Sequence, residues 1–465
     1  MKNIWILTEE FPKKEVIKNI IKKVCSEIGC TAFLDPIHVI PMLEEEKFCF
    51  TYEVTGFRSQ AFEKVYLKLV SGSSSFVDYL VFLQENMPNI TDTPLLLIEE
   101  TKTDDRESRN TGVYQRCTKF ISSSFRYPDV PKVMLYNLKV PQKTVPTKTN
   151  IFGTRMLKTL GVEIMGKDLD DEVFRPFSSV DELMQYKNHM RKAPKGNIPI
   201  EIEKTADTIS ISGRLIKSDS LAHDPNIGAL SIICATLRKL GWSGKIEIIK
   251  HGLEQRHIKA GNKFVHVAQQ LGVSLQGLTL PGEIKSEDYW HYEKKGEKIG
   301  TIFMHVAIEN FTRGFSVFDN HAGCEKSYFM TVQGDYIPLQ KYEDREAYKN
   351  GDKDKIIFIP DLVLNDPERL ISIVVEGKKY EFRFKGIDEL KGYDAFEKRY
   401  LKKFYPSCKI IRTVVLYGSH ENSITERKVG FLLNLDGEMV LGIDSPALFK
   451  EAVENVKSFW KISNE

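Results

Sequence analysis

Two apolar runs in this chain end in a charged triplet, and each is followed by the same succession of patterned segments. One is "PDLVLNDPERLISIVVEGK" (360–378); the other is "PLLLIEETK" (94–102). In an extended strand residues two apart share a face, so Glu376 and Lys378 point one way and Gly377 the other. By the same rule Glu100 and Lys102 share a face and Glu99 is turned away. Behind the first run come a helical pattern, "GIDELKGYDAFEKRYLKKF", and an apolar strand, "KIIRTVVLYG"; behind the second come "TGVYQRCTKFISSSF" and "KVMLYNLKV". Strands interleaved with helices in this way read as an α/β chain.

Each charged tip has an acid upstream of it. Asp361 follows Pro360, and Asp78 stands in "SGSSSFVDYLVFLQ" after a turn of small residues. If the acid leaves a neighbouring strand beside the tip, two carboxylates and an ammonium converge. Such a set suits a hard divalent cation, because Mg²⁺ takes a couple of carboxylates and completes its shell with waters and phosphate oxygens. The bare alternative is a strand that ends in a solvated salt bridge. Glu-x-Lys alone is common in a chain with 66 basic and 64 acidic residues. Glu45-Glu46-Lys47 and Glu293-Lys294-Lys295 lack the preceding apolar strand and read as chance matches.

The pattern of an acid on one strand, Glu-x-Lys on the next, then a helix and a further strand resembles the PD-(D/E)XK nuclease superfamily, and within it the type II restriction endonucleases. The resemblance covers roughly 47–140 and 345–435. It implies a mixed-sheet α/β restriction-endonuclease-like fold, present as two modules with an intervening α/β recognition domain. The expected boundaries are 1–150, 195–340 and 341–465, with the Lys- and Pro-rich stretch 141–200 as a connector. It further implies that Asp78, Glu100 and Lys102, and Asp361, Glu376 and Lys378, are catalytic, with Asp78, Glu100, Asp361 and Glu376 holding Mg²⁺. Val77 stands where the pattern often has proline before the first acid. Glu63 is a candidate for an additional upstream acid, or else a solvated residue.

Contacts to DNA are expected in the polar loop and helix start after Lys102, where Arg106, Arg109 and Gln115 could reach phosphates, or Asn110 and Thr111 simply cap the helix. In the middle region "FDNHAGCEKSYF" (318–329) gathers Asn320, His321 and Lys326 around a glycine, with donors suited to base edges. His321 and Cys324 form one H-x-x-C pair without a second, which argues against zinc. Asp224 and Pro225 mark a helix start, with His223 and Asn226 beside it. "KIGTIFMHVAIENF" (298–311) reads as a strand.

At 465 residues the chain has room for two or three domains, and 42% hydrophobic with 28% charged is the composition of a globular protein. A net charge of +2 neither demands nor excludes a polyanionic partner. No apolar run reaches the roughly 18 residues of a membrane helix, and the start "MKNIWILTEEF" turns acidic early for a signal peptide, so a cytoplasmic protein is expected. Seven scattered cysteines without a C-x-x-C pair suggest neither a disulfide framework nor a zinc ribbon.

The function implied by the resemblance is Mg²⁺-dependent, sequence-specific cleavage of double-stranded DNA. Two working sites, each cutting one strand, would suit a monomer; one working site beside a decayed one would suit a homodimer. A cognate DNA methyltransferase would belong to the same system. The alternatives are a repair or recombination nuclease of the same superfamily, or a non-catalytic DNA-binding protein on a decayed nuclease fold.

Overall fold

The computed structural model describes residues 2–73, 76–101, 112–137, 146–190, 200–217, 220–221, 224–259, 262–282, 288–321 and 328–463. The chain is a mixed α/β protein with mixed sheets, and it divides into two compact units. The first unit joins Met1–Ser71 and Leu83–Met87 to Tyr292–Glu465; the second is Gly72–Phe82 with Pro88–His291. These units do not follow the expected chain order, since each end of the sequence contributes to the first. Among the described residues no helix is long and apolar enough to cross a membrane.

In the first unit the strands run in the order Phe315–Asp319, Leu362–Asp366, Ile371–Lys379, Lys409–Tyr417, Val429–Leu433 and Met439–Leu441. Each of the first three is antiparallel to its neighbour, the third, fourth and fifth run parallel, and the last is antiparallel to the fifth. Leu362–Leu364 and Ile373–Val375 are apolar and buried on both faces because helices cover them, which is what near-continuous Leu, Val and Ile runs require. The covering helix is Lys298–Phe311, buried on all sides from Ile299 to Ile308. The segment expected to be a strand is therefore a helix. On the same unit Asn3–Thr8, Val65–Gly72, Lys47–Ser59 and Ala32–Glu44 are successive hydrogen-bonded neighbours in a sheet, with helix Lys14–Ile28 ended by Gly29 at φ 66°.

The connection from Ile371–Lys379 to Lys409–Tyr417 is a broken helix. It begins at Arg383–Glu389, tightens over Leu390–Tyr393 and loosens to a π-turn over Glu397–Leu401. Phe396, Tyr400 and Leu401 pack beneath it with Phe318, Phe329 and Val374. Each fully buried side chain of this size contributes about 2 kcal/mol of transfer free energy.

In the second unit Tyr79–Gln84 pairs antiparallel with Leu96–Thr101, which runs parallel to Lys132–Tyr136, itself parallel to Val162–Met165. Helix Gly112–Arg126 makes the crossover and packs against helix Asp224–Lys239. The latter links the parallel strands Thr208–Ser212 and Lys245–Ile249 of a second sheet. The stretch expected to be a connector instead holds helix Lys148–Thr159, strand Val162–Met165 and helix Val180–Asn188.

Candidate active site

Strand register brings Asp361 to the charged tip. Leu362 lies opposite Val375, so the residue before one faces the residue after the other. Asp361 Oδ2 accepts a hydrogen bond from the Gly377 amide at 2.8 Å. The Asn320 amide in turn donates to the Asp361 carbonyl at 2.8 Å, so the loop after strand Phe315–Asp319 holds the acid in place through its main chain. A Cβ on Gly377 would stand 2.7 Å from the Thr301 methyl and 3.2 Å from Asp361 Oδ2, which is why the triplet has glycine at its centre. A Cβ on Gly386 would stand 2.7 Å from Lys378 Cγ, so a second glycine lets the lysine stem pass under the helix.

Glu376 and Lys378 share a face as the two-residue spacing requires, with Lys378 Nζ 2.5 Å from Glu376 Oε1 and 2.8 Å from Glu389 Oε2. The Tyr393 hydroxyl donates to the other oxygen of Glu376. Glu389 and Tyr393 come from consecutive turns of the broken helix; neither figured in the sequence expectation, although their i, i+4 spacing just after the motif places them on one face.

Burial dominates the electrostatics. It pushes the Asp361 carboxyl up to about 6, against the Gly377 amide and Lys378, with Glu297 and Glu389 adding to the rise. Burial, followed by the charge of Asp361, pushes Glu376 up to about 8 despite its bonds from Lys378 and Tyr393. Burial pulls Lys378 down, but its bonds to Glu376 and Glu389 outweigh this and hold it above the ordinary lysine range. The ammonium is thus a fixed positive charge, suited to orienting a water or an anion and not to taking a proton. Burial and the charge of Glu376 likewise keep Tyr393 protonated.

The donor set fits a hard dication. Two buried carboxylates that resist ionising together gain from a divalent charge between them, and two carboxylates with the rest water and phosphate is the Mg²⁺ pattern. Among the described residues no group of three or more His, Cys, Asp or Glu is gathered as a metal site.

The upstream match has a different geometry from the one expected. Asp78 meets Glu99, not Glu100: the Asp78 amide donates to Glu99 Oε2 at 3.1 Å, and both carboxylates contact Lys119, at 3.1 Å from Asp78 Oδ1 and 3.0 Å from Glu99 Oε1. Glu100 is turned to the other face, where the Tyr79 hydroxyl and Asn137 Nδ2 donate to it at 2.5 and 2.7 Å. The reason is that Tyr79 lies opposite Ile98, which puts Asp78 beside Glu99. Lys102, Arg106, Arg109, Asn110, Thr111, His223, Cys324 and Lys326 lie outside the described residues, and Gln115 is described only as backbone of helix Gly112–Arg126.

The structure places His321 in the interior. It is buried, with Nε2 2.8 Å from His305 Nδ1, and His305 Nε2 lies 3.0 Å from Glu309. Burial, then the neighbouring His305, pushes His321 down to about 3, so it is a neutral core histidine. Asn226 Nδ2 donates to the Arg214 carbonyl at 2.5 Å, and Glu63 is exposed with its amide bonded to the Lys2 carbonyl. The two chance matches behave as such: Glu46 pairs with Lys457 and Lys461, and Glu293 bonds to Ser71.

Comparison of the chain with protein-family models, curated proteins and solved structures returned no match.

Proposed function

We propose that this protein is a divalent-metal-dependent endodeoxyribonuclease of the PD-(D/E)XK type that cuts double-stranded DNA as a type II restriction endonuclease. The observation that carries the reading is the convergence of Asp361, Glu376 and Lys378 at the end of one strand pair. The succession of elements supports it: an acid ahead of one strand, Glu-x-Lys at the end of the next, then a helix and a parallel strand.

Asp361 and Glu376 would hold Mg²⁺. When bound, the ion lowers the pKa of a water and offsets charge on the scissile phosphate. Lys378 supplies the second positive charge, anchored between Glu376 and Glu389 so that it need not reorganise as negative charge grows on phosphorus. Tyr393 orients Glu376, and the Gly377 amide orients Asp361. Water adds to phosphorus in line with the departing oxygen, and no covalent enzyme intermediate forms. The reading also implies a cognate DNA methyltransferase that protects the host's own sites, and a cytoplasmic location.

Incubating the purified protein with phage DNA and Mg²⁺ tests it. Discrete fragments that vanish with EDTA, and with Asp361→Ala, are expected. A smear assigns the protein to non-specific or structure-directed nucleases of repair or recombination. Intact DNA with both Mg²⁺ and Mn²⁺ overturns the enzyme reading and leaves a DNA-binding protein on a decayed fold.

A further inference from the structure

Resting on the nuclease reading, we infer that Asp78, Glu99 and Lys119 form a second hydrolytic site, with its cation delivered by a helix in place of the strand. Two independent features of the sheet carry the equivalence. In register, Tyr79 opposite Ile98 places Asp78 relative to Glu99 as Leu362 opposite Val375 places Asp361 relative to Glu376. In hydrogen bonding, Asp78 Oδ2 accepts from the amide of the residue after Glu99, at 2.7 Å, as Asp361 Oδ2 accepts from the amide of the residue after Glu376, at 2.8 Å. Each glutamate strand then runs parallel to the strand that follows its helix, with Glu99 opposite Met134 and Glu376 opposite Val414.

The letters mislead here because the acid-x-Lys match is one residue out of step. The position equivalent to Lys378 is Thr101, buried and without charge. Lys119, from the middle of helix Gly112–Arg126, brings an ammonium to both carboxylates instead. The two sites thus exchange the origin of their charges. At the C-terminal tip the strand supplies the lysine and the helix supplies Glu389; at this tip the strand supplies threonine and the helix supplies the lysine. Both retain an acid ahead of one strand, a glutamate at the end of the next, and a fixed cation.

A purely structural ion pair is the competing explanation, and it accounts poorly for the arrangement. Burying two carboxylates with one ammonium costs desolvation that their attraction barely offsets, so an apolar trio would hold the strands as well. Glu99 is 0% exposed, while the side chains of Lys119 and Asp78 keep 22% and 13% of their surface, so the cation and one acid remain reachable from solvent. Glu100, in contrast, is fully committed to Tyr79 and Asn137 on the far face.

The test uses the full chain and a supercoiled plasmid with one cleavage site. Wild type should give linear product. Glu99→Gln and Lys119→Met should each stop at the nicked circle, with cutting of one strand slowed about 10²-fold or more. Asp361→Asn should also stop at the nicked circle, but with the nick in the complementary strand by run-off sequencing. Glu100→Gln, whose carbonyl can still accept from Asn137 while its amide nitrogen donates to the Tyr79 hydroxyl, should linearise as wild type does, and Lys119→Arg should recover part of the second cut. Calorimetry with Ca²⁺ gives a readout apart from cleavage: two ions per folded chain in wild type, one in Glu99→Gln and one in Asp361→Asn. Linearisation by Glu99→Gln and Lys119→Met at the wild-type rate, or loss of both cuts in Asp361→Asn alone, overturns the second site while leaving the nuclease reading intact. If wild type cuts no DNA, the nuclease reading fails, and an ion count unchanged by Glu99→Gln removes the site as well.

Discussion

Gly377 shows how one residue type can be set by its neighbours. Its missing Cβ leaves room for the Thr301 methyl and for Asp361 Oδ2, so Gly377→Ala should cost about 1–3 kcal/mol by overpacking. Adding Thr301→Ser, which removes the methyl, should recover a large part of that in urea denaturation; no recovery would place the clash elsewhere. The two carboxyls beside it make a pH prediction. In the metal-free fold Asp361 and Glu376 keep their protons to about 6 and about 8, whereas in the unfolded chain they titrate near 4. The folded state therefore binds more protons between those values, and this contribution is fully present below about 4 and lost as pH rises through the folded pKa values. In EDTA the Tm should fall between pH 6 and 8, and Glu376→Gln should raise it at pH 8. Ca²⁺ should stabilise wild type more at pH 8 than at pH 6. A Glu376→Gln protein no more stable than wild type at pH 8 would mean that its carboxylate bears no burial cost.

Among the elements, those with a one-sided apolar pattern were legible. Gly112–Arg126 forms over the run "TGVYQRCTKFISSSF" that reads as helical, and the charged tip at Glu376 stands at a strand end as its two-residue spacing requires. "KIGTIFMHVAIENF" was not legible, since a helix buried from Ile299 to Ile308 shows no polar face, and its Ile and Val content imitates a strand. Glu100 was misplaced for a related reason: alternation along a strand tells which residues share a face, but only the partner strand's register tells which face meets the acid. The contributions of Glu389 and Tyr393 depend on a helix that bends. Arg412 pins that bend from the neighbouring strand, with Nε 2.5 Å and Nη2 2.9 Å from Glu397, Nη1 2.7 Å from the Leu390 carbonyl, and Asp394 bound as well. Because Glu397 is buried, Arg412→Met leaves its charge unpaired and should cost about 3 kcal/mol. It should also reduce cleavage by releasing Tyr393, whereas Arg412→Met with Glu397→Gln should regain stability. Equal instability of the single and double variants in thermal melts would show that the carboxylate is not the source of the cost.

At the scale of the whole molecule, chain order and compact units disagree, and that disagreement can be measured. A cut at 341 looks natural in the sequence because "EDREAYKNGDKDK" is polar, yet the unit that holds Asp361 and Glu376 needs parts from far upstream. Helix Lys298–Phe311 covers the sheet, and Phe303 stacks on Phe431 with ring centroids 5.6 Å apart and meets Phe48 edge to face at 5.0 Å. The Phe48 amide donates to the Gly437 carbonyl at 2.8 Å, and Trp460 Nε1 donates to the Pro41 carbonyl at 2.7 Å. Strand Phe315–Asp319 completes the sheet beside Leu362–Asp366. A fragment of residues 341–465 would therefore expose the apolar face that Ile299, Phe303 and Val306 cover, and would leave an open edge at Leu362–Asp366. Expressed alone it should lack slow-exchanging amides in Ile371–Lys379 and Lys409–Tyr417, and should bind a hydrophobic dye, while the intact chain protects both strands. Protection of those strands in the fragment would show that the C-terminal sheet is self-sufficient, and that the upstream segments serve the site without being needed for the fold.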